Sequence, residues 1–192
     1  MMDDATLIAR VIAVNGHACR FLVDKYRILV WHMVLRMLNQ REDAEDICQE
    51  VFFRVFRDAA KFRGDAKLST WIGSITYNIC VDYLRKRGKE IMVTMESLDP
   101  LAHRRDEQPA ADRFDRQELK NMVHRIIGSL PVQYRTVVTL YHLEGFSYRE
   151  IEKTTGMPEG TVKSYLNRAR GMIREKMVQL VPDIDNVLFE NR

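Results

Sequence analysis

Little in this chain points to covalent or metallic bracing. Three of its 192 residues are cysteines, at positions 19, 48 and 80, odd in number, far apart and without a Cys-x-x-Cys pair. That spacing argues against a disulfide framework and fits a reducing cytoplasm. His17 and Cys19 are close neighbours, but no second pair follows them, so no zinc-ligand spacing exists. No glycine-rich phosphate cradle is present. The longest apolar run, near Ile28–Leu38, is broken by His32 and Arg36 and is too short to span a membrane. The chain opens Met-Met-Asp-Asp, without a basic stretch ahead of an apolar one, so no signal peptide is expected. Strand-like alternation, internal repeats and low-complexity tracts are also missing. The net charge of +3 is too small to name a polyanionic partner.

What is present is helical periodicity and uneven charge. Apolar residues make up 46% and charged residues 30%, the balance of a globular chain. Residues 1–87 carry a net +3, 88–112 a net −3, 113–180 a net +5 and the tail a net −2. Two basic blocks are thus joined by an acidic connector. Residues 41–50 hold Arg41 against five carboxylates, whereas 54–87 hold eight Lys/Arg against three Asp. The first block can therefore offer two faces to two kinds of partner.

Apolar residues recur at helical spacing in both blocks. Leu7, Ile8, Val11 and Ile12 mark one helix, and Asn15-Gly16 separates it from a second with Phe21, Leu22, Tyr26, Leu29 and Val30. Ile47, Val51, Phe52, Val55 and Phe56 predict a third helix over about 44–59. "KFRGDAKLS" reads as a loop, after which Ser69 or Thr70 is expected to cap a fourth helix ending in Arg85-Lys86-Arg87-Gly88. Residues 89–112, with Pro100 and Pro109, read as a flexible linker. Four more helices follow, one stopped at Gly128 and the next begun at Pro131. The expected fold is all-α: two small helical domains joined by a flexible linker.

The last two helices form a corner. Ser147 and Glu150 have the spacing of a capping box, Gly156 suits a left-handed turn, and Pro158-Glu159 opens the next helix. Val162, Tyr165 or Leu166, Ala169 and Ile173 would face inward; Lys163, Ser164, Asn167, Arg168 and Arg170 would face out. This is the shape of a helix-turn-helix, whose second helix fits the DNA major groove. Glu152 departs from the pattern, since the position four before the glycine usually holds a small residue; its carboxylate is expected to bend outward or pair with a cation.

"DAEDICQEVFFRVFRDAAKFRGDAKLSTWIGSITYNICVDYLRKR" resembles region two of the bacterial extracytoplasmic-function sigma factors of the sigma-70 family. "LPVQYRTVVTLYHLEGFSYREIEKTTGMPEGTVKSYLNRARGMIREKM" resembles their region four. The order and separation of the two stretches also match that family. The resemblance implies a region two helical bundle over 1–88, a linker over 89–112, a four-helix region four domain with the helix-turn-helix over 113–180, and a tail over 181–192. It implies core RNA polymerase as a partner, with Asp43, Asp46, Gln49 and Glu50 on the largest subunit's clamp helices and the helices before the corner on the flap tip. It implies promoter DNA as the second partner. Phe62, Arg63, Gly64, Asp65, Ala66 and Lys67 fall in the loop that captures a flipped minus-ten base, with Trp71 and Asn78 on the helix behind it. Arg85, Lys86 and Arg87 suit phosphates. Tyr77 stands where relatives often carry a basic residue, so stacking is expected in place of a phosphate contact.

By the same resemblance Lys163, Ser164, Asn167 and Arg168 face the minus-thirty-five element, with Arg170 and Arg174 nearer phosphate. An anti-sigma protein is implied as a third partner, and no cofactor or metal is. Two other readings stay open on the residues alone. One is a helix-turn-helix regulator with an N-terminal sensing or dimerisation domain. The other is a nucleic-acid enzyme with a metal on the acidic cluster, although no distant His or carboxylate motif converges on Asp43, Asp46 and Glu50.

Overall fold

The computed structural model describes residues 3–39, 41–87 and 116–180. The expected linker, 89–112, and tail, 181–192, lie outside them. Among the described residues the chain is helical and strand-free. The first half contains α1 (Asp4–Ile12), α2 (Gly16–Leu38), α3 (Ala44–Arg57), a 3-10 turn (Ala59–Lys61) and α4 (Leu68–Lys86). The second contains α5 (Arg116–Gly128), α6 (Val132–Val138), a π-helical turn (Thr139–Leu143), α7 (Tyr148–Thr155) and α8 (Glu159–Leu180).

Local chemistry sets most of the ends. Asp3 accepts from the Thr6 N–H at 2.7 Å and Asn15 from the Ala18 N–H at 3.0 Å, capping α1 and α2. Asn39 closes α2 in the left-handed conformation at φ 54°. Three expected boundaries move. The third helix stops at Arg57 and tightens into the 3-10 turn instead of running on to Ala59. Pro131 is the N-cap of α6, not its first residue. Neither Ser69 nor Thr70 caps α4: the helix starts at Leu68, whose N–H donates to Asp4 Oδ2 of α1 at 3.0 Å. A carboxylate 64 residues upstream supplies the acceptor that the local sequence was expected to give.

α2 is the central post, packed on α1, α3 and α4 through Leu22, Leu29, Val30, Met33 and Val34. Val51 and Val55 of α3 and Leu68 and Ile72 of α4 are equally buried. In the second half Val137, Leu140, Ile151, Val162 and Leu166 form the interior.

The two halves also pack on each other, α4 against α7 and α2 against α6, so their buried residues form one continuous core. Polar groups bind the seam. His32 Nδ1 lies 2.6 Å from Glu144 Oε1, and Arg36 of α2 meets His124 of α5. Arg135 is buried; its guanidinium donates to the carbonyls of Gly128 (2.6 Å), Leu130 (3.0 Å) and Met37 (3.2 Å). Burial, with Arg36 nearby, lowers its pKa to about 10, which leaves it charged near neutrality.

Candidate nucleic-acid and polymerase interface

α3 presents its acidic residues on one side. Asp46, Gln49 and Glu50 are exposed at helical spacing, and Glu50 accepts from Arg54 at 3.1 Å. Phe53 continues that face at 63% exposure, an apolar patch that the reading of the buried stripe passed over. Asp43 does something different. Its Oδ2 accepts from the Tyr83 hydroxyl at 2.5 Å and from Arg87 at 3.1 Å, clasping the start of α3 to the end of α4. Of the expected polymerase-facing set, Asp46, Gln49 and Glu50 stand together, and Asp43 is turned to α4.

The loop between the 3-10 turn and α4 borders an open cleft of about 140 Å³, lined by Lys61, Phe62, Arg63, Gly64, Asp65, Ala66 and Trp71. Gly64 makes the turn at φ 77°, a conformation costly for other residues. The Phe62 and Trp71 rings meet edge to face at 5.6 Å between centroids. The cleft is in the size range that holds one benzene-sized ring, about 150 Å³. Asn78 is exposed two turns beyond Trp71 on the same side of α4, and Arg85, Lys86 and Arg87 are exposed at its C-terminal end. Lys61 is a lining residue outside the expected set, and its Nζ lies 3.1 Å from Asp58 Oδ1.

Two residues expected to face DNA, one in the loop and one on α4, are engaged by the second half. Lys67 does not line the cleft: its Nζ lies 2.8 Å from Glu150 Oε1 on α7. Tyr77 is half-buried beside Tyr165 of α8. Burial raises its phenol pKa, with Arg85 pulling down and Tyr165 adding upward.

The corner has the expected build. Ser147 Oγ accepts from the Glu150 N–H at 3.3 Å, and Glu150 Oε2 accepts from the Ser147 N–H at 2.8 Å. Gly156 sits at φ 74° and its N–H donates to Glu152 O at 2.8 Å. The Glu152 side chain is half-buried. Val162, Tyr165, Leu166 and Ala169 are buried, and Tyr165 packs on Tyr134 at 4.9 Å. Lys163, Ser164, Asn167, Arg168, Arg170 and Arg174 are all exposed. Lys163 bonds Glu159 at 2.7 Å and lies 5.2 Å from the Tyr148 ring. Arg170 leans over Tyr141 at 5.9 Å.

Among the described residues no helix is long and apolar enough to cross a membrane, and no group of three His, Cys, Asp or Glu could hold a metal ion.

Residues 22–90 match the family described as Sigma-70 region 2, and residues 120–173 match Sigma-70, region 4. The chain is 32% identical over 186 residues to an ECF RNA polymerase sigma-E factor of Haemophilus influenzae, covering 94% of this chain and 98% of that protein. It is 32% identical over 185 residues to the RNA polymerase sigma-H factor of Pseudomonas aeruginosa, covering 93% and 96%. The fold is similar to that of the sigma factor RpoE in its co-crystal structure with the anti-sigma factor NepR from Bartonella quintana. There the TM-score is 0.62 at 22% identity, over 82% of this chain and 95% of that one.

Proposed function

From the premise that the chain belongs to the extracytoplasmic-function sigma factors of the sigma-70 family, we propose that it directs core RNA polymerase to promoters, reads the minus-ten and minus-thirty-five elements and helps part the strands. The observation that carries this reading is the Phe62–Trp71 cleft beside exposed Asn78. A base leaving the stack needs an aromatic wall and polar groups at its edge. Phe62 and Trp71 supply the wall, and the Gly64–Ala66 backbone with Arg63 supplies polar groups. Stacking of this kind contributes about 1–3 kcal/mol per base, enough to offset much of the unpairing cost. The protein works by binding and makes or breaks no bond.

The exposed acidic face of α3, continued by Phe53, fits a basic helical surface such as the polymerase clamp helices. Its charge would repel DNA phosphate. On α8, Arg168 and Asn167 suit guanine and adenine edges, while Lys163, Arg170 and Arg174 suit phosphate. Residues 1–88 would form the minus-ten and polymerase-binding domain, and residues 113–180 the minus-thirty-five domain and flap-tip partner. Each reader is weak alone; mounting both on one polymerase raises the effective concentration of the second once the first has bound. An anti-sigma protein as a further partner is supported by the similarly folded sigma factor solved with one.

Reconstituted transcription with core polymerase on a promoter library tests the reading. Asn78→Ala is expected to lower open-complex formation, read by permanganate reactivity of unpaired thymines, with polymerase binding unchanged. Equal losses in both assays would remove Asn78 from that role. Arg168→Ala is expected to cost about 1–3 kcal/mol at one minus-thirty-five position and relax selection there. Unaltered selection across the library would exclude it.

A further inference from the structure

An aromatic ladder runs beside the DNA-facing cations of α8. Tyr141 lies in the π-helical turn and Tyr148 opens α7; their rings stack at 5.2 Å between centroids, with planes 10° apart. The His142 ring meets Tyr141 edge-on at 4.9 Å. The wide turn carries Tyr141: the Glu144 N–H donates to Thr139 O at 3.1 Å, five residues back where an α-helix bonds four back. Two cations of α8 lie over the rings. Lys163 Nζ is 5.2 Å from the centre of the Tyr148 ring, and Arg170 Cζ is 5.9 Å from that of Tyr141. Seven residues separate them, two helical turns, so they share one face of α8 with Asn167 between.

Resting on the sigma-factor reading, we infer that Tyr141 and Tyr148 are positioning residues for the minus-thirty-five contact: their stacked rings hold Arg170 and Lys163 in place to grip phosphate on either side of Asn167. Long cationic side chains give up rotamer freedom when they bind, and a side chain already held has less to give up. A ring face also holds a cation without cancelling its charge. Lys163 shows the contrast, since its Nζ meets Glu159 Oε1 at 2.7 Å as well as the Tyr148 ring. With the ring removed, the carboxylate would be left as its holder and would compete with phosphate for it. A hydrogen bond with Tyr141, and burial, raise the Tyr148 phenol against the pull of Arg170 and Lys163, so that ring is neutral near neutral pH.

Two consequences separate this role from packing. Phosphate contacts carry no sequence information, so loss of the ladder should weaken every minus-thirty-five sequence by a similar factor. Tyr141 also acts only through Arg170, and Tyr148 through Lys163, so each ring should matter only while its cation is present.

Holoenzyme assembled from core polymerase and the full-length chain is titrated with promoter duplexes recovered from the library, differing only in the minus-thirty-five element. Tyr141→Leu is expected to weaken binding about two- to fivefold on all of them, the value of one exposed cation–ring contact. Tyr141→Phe keeps the ring and should recover most of that loss. In an Arg170→Met background Tyr141→Leu should cost nothing further, and Tyr148→Leu should likewise be silent over Lys163→Met; damage to the domain would add instead. NMR of the free chain checks the geometry directly: the Arg170 side-chain protons should be shifted upfield by the Tyr141 ring and lose that shift in Tyr141→Leu. The inference is overturned if Tyr141→Leu binds like the wild type, if Tyr141→Phe binds as weakly as Tyr141→Leu, if the loss persists in full over Arg170→Met, or if the Arg170 protons are the same in both chains. Failure of the wild-type chain to bind core polymerase at all would instead defeat the sigma-factor reading, whatever the proton shifts show.

Discussion

Glu150 belongs to two structures at once. One oxygen accepts from the Ser147 N–H and hydroxyl at 2.8 and 2.7 Å, and the other faces Lys67 across the seam at 2.8 Å. Burial alone would raise its pKa, but Lys67 and the two Ser147 bonds outweigh that and hold it at about 2, against an ordinary 4.5. A carboxyl depressed on folding stabilises fully above its unfolded pKa. That contribution therefore holds above about pH 4.5 and fades as pH falls toward 2. Followed by carbon-detected NMR, Glu150 should titrate near 2 in the wild type and clearly higher in Lys67→Met. The shift that remains in the variant measures the capping box. An unchanged midpoint would mean that Lys67 does not engage Glu150 in solution.

Among elements, those whose signals are local could be read from sequence, and those whose signals are distant could not. The α8 stripe of Val162, Leu166 and Ala169, the capping box and the Gly156 turn lie within a few residues of what they control. The outward cations of α8 follow directly from that stripe. By contrast, α4 begins on a carboxylate from α1, and Asp43 is spent on Tyr83 and Arg87, 40 and 44 residues away. Phe53 escaped notice because it sits beside the buried stripe of α3 and reads as part of the same apolar cluster. Asp4 gives an element-scale test. Asp4→Ala removes the acceptor for Leu68 N–H and the contacts to Lys25 at 3.4 Å and Tyr26 at 3.5 Å. Loss of such a cap is expected to destabilise the chain by about 1 kcal/mol, lowering the urea midpoint at unchanged slope. Asp4→Asn keeps an acceptor oxygen and should recover most of the loss. If both variants melt with the wild type, α4 draws its start from elsewhere.

For the whole molecule, the sequence was legible as two helical halves but not as halves that close. The seam is made by pairs such as His32–Glu144, 112 residues apart, and by Gly73, which in sequence is only an unremarkable glycine within a helix. Which force holds the seam is decided by comparing its parts. The Lys67–Glu150 pair has a lysine side chain 73% exposed, and exposed ion pairs contribute little and weaken as salt shortens the Debye length to about 3 Å at 1 M. The packing of Gly73 on Thr154 and Phe146, continuous with the core, is not screened. The DNA binding proposed for the exposed cations of α4 and α8 is the opposite case, since such binding draws on counterion release and falls steeply with salt. The radius of gyration of the free chain, measured by small-angle X-ray scattering, is therefore expected to stay constant from 0.1 to about 1 M NaCl. Over the lower part of that range, promoter affinity of the holoenzyme should drop by orders of magnitude. Expansion of the free chain in high salt would show that charge pairs, and not the buried face of α4, hold it shut.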